Sequence, residues 1–350
     1  MNQGHGDEHV AGQETRIDTR EKTGDEEDSS NKLAVRGNVP EENRDSVAGH
    51  VVGESGHAAL PEDFRVAVGQ KDQPGRQAQP ERREVSATVR HGALLVAAIS
   101  LFVSVYLATF AGGGYVAFLA GFRFVQWVAL ASAITATWVS ISACDRGRWP
   151  IGLAARPRVV LRELLLGAGL AVLMLVASDS AIVLLTNLRH RNGNGFPWIE
   201  LATVFIPAAV HEELAFRGYV FQKLLTWRRD VAYLFSGVVF AALHSGNLSV
   251  SWLALGNIAL AGVMLGLAYE RTRRLWLPIG LHLAWNVGSG PILGYEVSGF
   301  SARSTLFITS GRGADWLTGG AFGLEGSICA TVVEVAAIVL LFRYSRRSDR

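Results

Sequence analysis

Beyond residue 90 the chain is built from long apolar runs separated by short turns that carry most of its arginines. An apolar run of about 20 residues is the length a helix needs to cross the hydrocarbon core of a bilayer. The pattern predicts eight such helices, at 92–111, 124–143, 163–187, 199–222, 231–248, 251–270, 276–295 and 321–342. The expected fold class is all-α, a polytopic membrane protein. Residues 1–90 show no apolar periodicity and hold Phe64 as their only aromatic residue. Such a segment buries too little apolar surface to offset the entropy of ordering it, so a disordered acidic tail is expected there. The organisation read from the pattern is a polar tail over 1–90 and a transmembrane helical domain over 91–350. The opening residues MNQGHGDEHV lack the basic and apolar regions of a secretory signal, and the first membrane helix is expected to direct insertion.

Charge adds an orientation. The net charge of +2 averages two unlike parts: residues 1–90 hold 12 basic and 18 acidic side chains, and the remaining residues hold 21 basic and 13 acidic. Lys and Arg accumulate in cytoplasmic loops. With the N-terminus inside, the expected helices place 18 Lys and Arg of residues 82–350 on the cytoplasmic side and 5 outside, the latter being Arg123, Arg189, Arg191, Arg303 and Arg312. This predicts a protein of the cell (plasma or inner) membrane with both termini cytoplasmic. The apolar runs exclude an ordinary soluble globular protein, and two cysteines, Cys144 and Cys329, exclude a disulfide scaffold. No phosphate-binding glycine fingerprint is present, and no nucleic-acid partner is expected.

Ionisable side chains inside a span cost about 2.5–3.5 kcal/mol each on insertion scales, so they default to a functional reading. They are concentrated in three expected helices, as His211-Glu212-Glu213 with Arg217, Phe240 with His244, and His282 with Asn286. Glu213 and Arg217 are four residues apart on one helical face, which lets the arginine neutralise and hold that glutamate. Glu212 points about 100° away and is freer to act as a base. His282 and Asn286 also share a face, as a water-holding or oxyanion-stabilising pair would need. The blander reading makes each set a structural hydrogen-bonding group. A His-Glu-x-x-His zinc site is excluded by Ala215, and neither Ser245 nor Ser289 sits in a Gly-x-Ser-x-Gly elbow. Asp179, Asn257 and Glu334 are the other polar groups in spans. Asp179 is expected to hydrogen-bond locally between Ser178 and Ser180, and Glu334 to cap or pair structurally.

In order and spacing these sets resemble the signature of the CAAX protease and bacteriocin-processing family of intramembrane proteases, the CAAX prenyl protease 2 or abortive-infection type. That pattern is Glu-Glu-x-x-x-Arg, Phe-x-x-x-His and His-x-x-x-Asn/Asp on successive membrane helices. The chain supplies Glu212-Glu213-Leu-Ala-Phe-Arg217, Phe240-Ala-Ala-Leu-His244 and His282-Leu-Ala-Trp-Asn286, and the resemblance covers about residues 150–345. It implies an endopeptidase with a water-filled cavity open to the cytoplasm, acting on a membrane-associated peptide or protein. By resemblance, Glu212 is the general base assisted by His244, Glu213 and Arg217 organise it, and His282 and Asn286 stabilise the oxyanion. The family is described both with and without a metal. The metal-free mechanism is preferred, with Glu212, His244 and His282 as the ligand set should a divalent metal such as zinc be used. Two rivals stand beside it: a non-proteolytic binding or bacteriocin-immunity protein, and a small-solute or proton transporter.

Overall fold

A computed structural model describes residues 79–120 and 124–348. The expected disordered tail lies, up to residue 78, outside the described residues. Helix α1 (Gln79–Leu119) is followed by α2 (Val125–Cys144) and α3 (Pro157–Leu185). A helical path over 198–227, α4, and a second over 229–244, α5, come next. Then follow α6 (Trp252–Thr272), α7 (Trp276–Val287), a short α8 (Asp315–Thr318) and α9 (Ile328–Ser348). Among the described residues, four helices are long and apolar enough to cross a membrane: Thr88–Leu119, Val125–Cys144, Pro157–Leu185 and Trp252–Thr272. The eight spans expected from the sequence go beyond these four, and α4 and α5 are interrupted rather than regular.

Local chemistry explains where the helices begin and end. α3 starts at Pro157, ahead of the expected residue 163, and the preceding Arg156 is extended at φ −65°, ψ 143°. Proline suits the first helical position because the N–H it lacks would have no intrahelical partner, and it disfavours helix in the residue before it. The polar first turns of α3 are not loop: Glu163 is buried and pairs with Arg274 from the α6–α7 turn. That pairing raises the pKa of Arg274 further still. α6 begins at Ser251, whose hydroxyl accepts from the Ala254 N–H at 3.1 Å, and ends at Arg273 in the left-handed conformation, φ 55°.

The interior is held by close helix crossings. α3 and α7 pack through two glycines: a Cβ on Gly167 would lie 2.3 Å from the Leu277 carbonyl oxygen, and one on Gly280 would lie 2.4 Å from that of Leu164. Small residues at such crossings let backbones approach where lipid supplies no hydrophobic drive between helices. Ala171, Leu175, Leu265, Leu281 and Trp285 belong to one buried cluster, while Leu107, Leu173 and Leu184 stay exposed on the outer helices, as a lipid-facing rim would be.

Two features depart from expectation. Strands β1 (Arg189–Asn192) and β2 (Phe307–Ser310) pair antiparallel, with Arg189 opposite Ser310 and Asn192 opposite Phe307. Asp179 does not bond locally: it accepts from His190 Nε2 at 2.9 Å and from the Tyr295 hydroxyl at 2.7 Å, tying this ribbon and the loop after α7 to α3.

Candidate active site

The three motif segments come together, and each borders a π turn. In α4 the regular stretch Ile206–Glu213 passes directly into a π turn, Leu214–Gly218, with another at Leu201–Phe205 upstream. The upstream turn precedes Pro207, whose missing N–H interrupts the regular ladder. In α5 a π turn at Phe235–Val239 precedes Phe240–His244, and after α7 another occupies Gly288–Ile292. Single π turns inside helices are frequent at functional sites because they re-aim side chains.

Glu213 and Arg217 form the floor and are fully buried. Glu213 Oε1 accepts from Arg217 Nη1 at 3.1 Å and from His282 Nδ1 at 2.9 Å. Arg217 Nη2 donates to the Gly262 carbonyl at 3.2 Å, an oxygen that also accepts from the Ser236 hydroxyl at 2.7 Å. The guanidinium lies 4.4 Å from the centroid of the Phe240 ring. A buried ion pair holds only when further hydrogen bonds offset desolvation, and here a carbonyl, an imidazole and an aromatic face supply them. Glu213 Oε2 and Arg217 Nε have no partner among the described residues.

Above this floor is a cavity of about 900 Å³, lined by Glu212, His244, His282 and Asn286 among others. Of the six residues singled out in the sequence, these four reach the cavity, and Glu213 and Arg217 stand behind it. Glu212 has no hydrogen-bond partner among the described residues; His282 Nε2 lies 3.8 Å from its Oε2. His244 Nδ1 lies 2.7 Å from the Phe240 carbonyl oxygen. A carbonyl only accepts, so Nδ1 carries the proton and Nε2 of the neutral ring is left as an acceptor. The Phe240 ring walls both histidines, 4.7 Å from His244 and 6.4 Å from His282 between centroids. Phe240 therefore touches all three motifs.

Other groups reach the cavity without having been assigned to it. His211 Nε2 pairs with the Tyr106 hydroxyl of α1 at 2.8 Å, which brings the first helix to the site. Glu325, in the turn before α9, accepts from Trp285 Nε1 at 3.2 Å and from the Ser298 backbone N–H and hydroxyl at 2.9 and 2.6 Å. Glu334, expected to cap or pair, instead lines the cavity with Oε2 buried and without a partner among the described residues. The acid within an apolar run was visible in the sequence, but the side of α9 that faces inward was not. Ser245 and Ser289 spend their hydroxyls on the Ala242 and Trp285 carbonyls of their own helices. Asn257 lies outside the site: it donates to the Glu325 and Ser327 carbonyls and accepts from the Thr331 hydroxyl.

Among the described residues, no group of three or more His, Cys, Asp or Glu side chains is placed to hold a metal ion. His282 gives Nδ1 to Glu213 and His244 gives Nδ1 to the Phe240 carbonyl, so Nε2 is the ring nitrogen left free on each.

Residues 194–288 match the family described as Type II CAAX prenyl endopeptidase Rce1-like. This segment is similar to that family. It spans all three motif sets, from Glu212 to Asn286. The chain is also similar to UPF0177 protein YvdC of Lactococcus lactis subsp. lactis (strain IL1403), 30% identical over 91 residues, which cover 26% of this chain and 34% of that protein. It is similar to an Uncharacterized 24.3 kDa protein of Escherichia coli, 33% identical over 88 residues, covering 24% of this chain and 40% of that protein. The matches thus span well under half the length of either curated relative. No solved structure matches. Over residues 194–288 the chain is similar to the Rce1-like family, and the long apolar helices fit an integral membrane protein.

Proposed function

We propose that the protein is an intramembrane endopeptidase that hydrolyses a peptide bond of a membrane-associated protein or peptide, with Glu212 as the general base. The observation that carries this reading is the contrast between the two adjacent glutamates. Glu213 is fully buried and shared by Arg217 and His282, whereas Glu212 faces the cavity with no hydrogen-bond partner among the described residues. A structural carboxylate is expected to be satisfied, and a base must be free to take a proton.

In the proposed reaction a water held between Glu212 and His244 Nε2 gives one proton to the Glu212 carboxylate as its oxygen attacks the scissile carbonyl carbon. Negative charge then develops on the carbonyl oxygen. The Asn286 amide donates to it, and His282 donates from Nε2 when that nitrogen is protonated, its ring being held in place through Nδ1 by Glu213. Collapse of the tetrahedral intermediate breaks the C–N bond, and the proton held by Glu212 passes to the leaving amine. His244, fixed through the Phe240 carbonyl, keeps an acceptor facing the same water.

The excess of Lys and Arg near one set of helix ends supports an orientation with both termini cytoplasmic and eight spans, which would open the site toward the cytoplasmic face. The purified full-length protein in lipid nanodiscs, incubated with a peptide library, is expected to release products that Glu212→Gln does not. Cleavage at the wild-type rate by folded Glu212→Gln would refute Glu212 as the base, and no cleavage by either folded protein would leave the binding or immunity reading in its place. Flux of a small solute into sealed vesicles without peptide products would favour the transporter.

A further inference from the structure

The cavity has a second polar region that the hydrolytic scheme does not use. Glu334, on α9, is 3% exposed, and its Oε2 is buried with no partner among the described residues. It lines the same cavity as Glu212. Glu325 lines it too, its carboxylate fixed by Trp285, the backbone of Ser298 and the Ser298 hydroxyl. Among the described residues, no Lys or Arg lines this cavity. The two acids therefore share a cavity in which histidines, and no Lys or Arg among the described residues, face them.

A buried carboxylate without a partner costs several kcal/mol unless it is neutralised or matched. Replacing Glu334 by an apolar residue would remove that cost, so packing alone does not account for an acid at this position. Glu325 gives the same indication from the other side: its three donors hold it as an acceptor, and a guest with donors would complete the pair. Trp285 couples this region to the hydrolytic centre, since it donates to Glu325 and sits between His282 and Asn286 on α7.

We infer that Glu334, with Glu325 beside it, forms a subsite for a cationic group of the substrate, an ammonium or guanidinium carried by the segment that enters the cavity. This rests on the proteolytic reading for the word substrate, but the charge selectivity is a property of the cavity alone. The ammonium could be a lysine side chain or a free N-terminus, and both present the same donors.

The test uses the full-length chain bearing Glu212→Gln, in lipid nanodiscs, so that binding is measured without turnover. Fluorescent apolar host peptides carry a single Lys, Arg, ε-acetyl-lysine or norleucine, each with a free or an acetylated N-terminus. Anisotropy is expected to show Lys and Arg peptides binding about tenfold tighter than the neutral ones, the scale of one charge-assisted contact. Adding Glu334→Gln is expected to collapse that preference to less than about twofold. If the free-terminus peptides carry the preference whatever the side chain, the ammonium is the N-terminus. Equal binding of charged and neutral peptides, no peptide binding at all, or a preference that survives Glu334→Gln would overturn the inference. Thermal unfolding of Glu334→Gln and Glu334→Leu controls for folding, and both are expected to be at least as stable as the parent. Cleavage by the protein with Glu212 intact is scored separately. Cleavage with no charge preference sinks only the subsite, and charge-selective binding with no cleavage sinks only the protease.

Discussion

Replacing Arg217 with methionine tests the floor of the site. Methionine keeps an unbranched apolar stem but removes the hydrogen bonds to Glu213 and Gly262 and the charge over Phe240. Glu213 would then be fully buried with His282 as its remaining partner at 2.9 Å. Breaking a buried pair by removing one member costs about 3–5 kcal/mol, because the other charge is left behind uncompensated. Retention of the His282 bond puts this case at the lower end, about 3 kcal/mol. For a domain of this size each kcal/mol moves Tm by about 2–4 °C, so a fall of about 6–12 °C is expected. The assay is thermal unfolding of the purified protein followed by tryptophan fluorescence. A double variant, Arg217→Met with Glu213→Leu, removes both charges and is expected to regain most of the loss while staying inactive. A single variant within about 1 °C of the parent, or a double variant less stable than the single, would refute this reasoning.

Other outcomes follow from the same geometry. Gly280→Ala places a methyl group 2.4 Å from the Leu164 carbonyl oxygen and is expected to destabilise by about 1–3 kcal/mol, whereas Gly169→Ala, with nothing within 4 Å, is not; thermal unfolding compares them. His244→Ala is expected to lower kcat by about 10²–10⁴ with little change in KM, read by steady-state cleavage of a peptide found in the library screen. A reporter enzyme that matures only in the cytoplasm, fused after Arg350, is expected to be active; an inactive fusion would reverse the orientation drawn from the arginines.

The motif residues were legible because a charge inside an apolar run is conspicuous whatever the fold, and helical spacing alone put Glu213 with Arg217 and His282 with Asn286. Three kinds of feature were not legible, each for a physical reason. The π turns beside every motif depend on packing, as where Gly262 lies so close under Ser236 that a Cβ would sit 2.2 Å from its carbonyl oxygen. The β1–β2 ribbon and the Tyr106–His211 bond join residues more than a hundred positions apart, and nothing local marks either partner. The facing of Glu334 depends on how α9 is rotated against α6 and α3, which an apolar helix with little amphipathic contrast does not declare. Asp179 shows the limit of local reasoning: two flanking serines offered it partners, and it took His190 and Tyr295 instead.

The claim that Glu212 activates water for peptide hydrolysis is tested most directly by quantitative profiling of membrane-protein termini in cells carrying the wild-type chain or Glu212→Gln at matched expression. New termini that appear with the wild type and vanish with Glu212→Gln are the predicted result, and they would name the substrate. The same termini in both strains, with both proteins folded in the membrane, would contradict it.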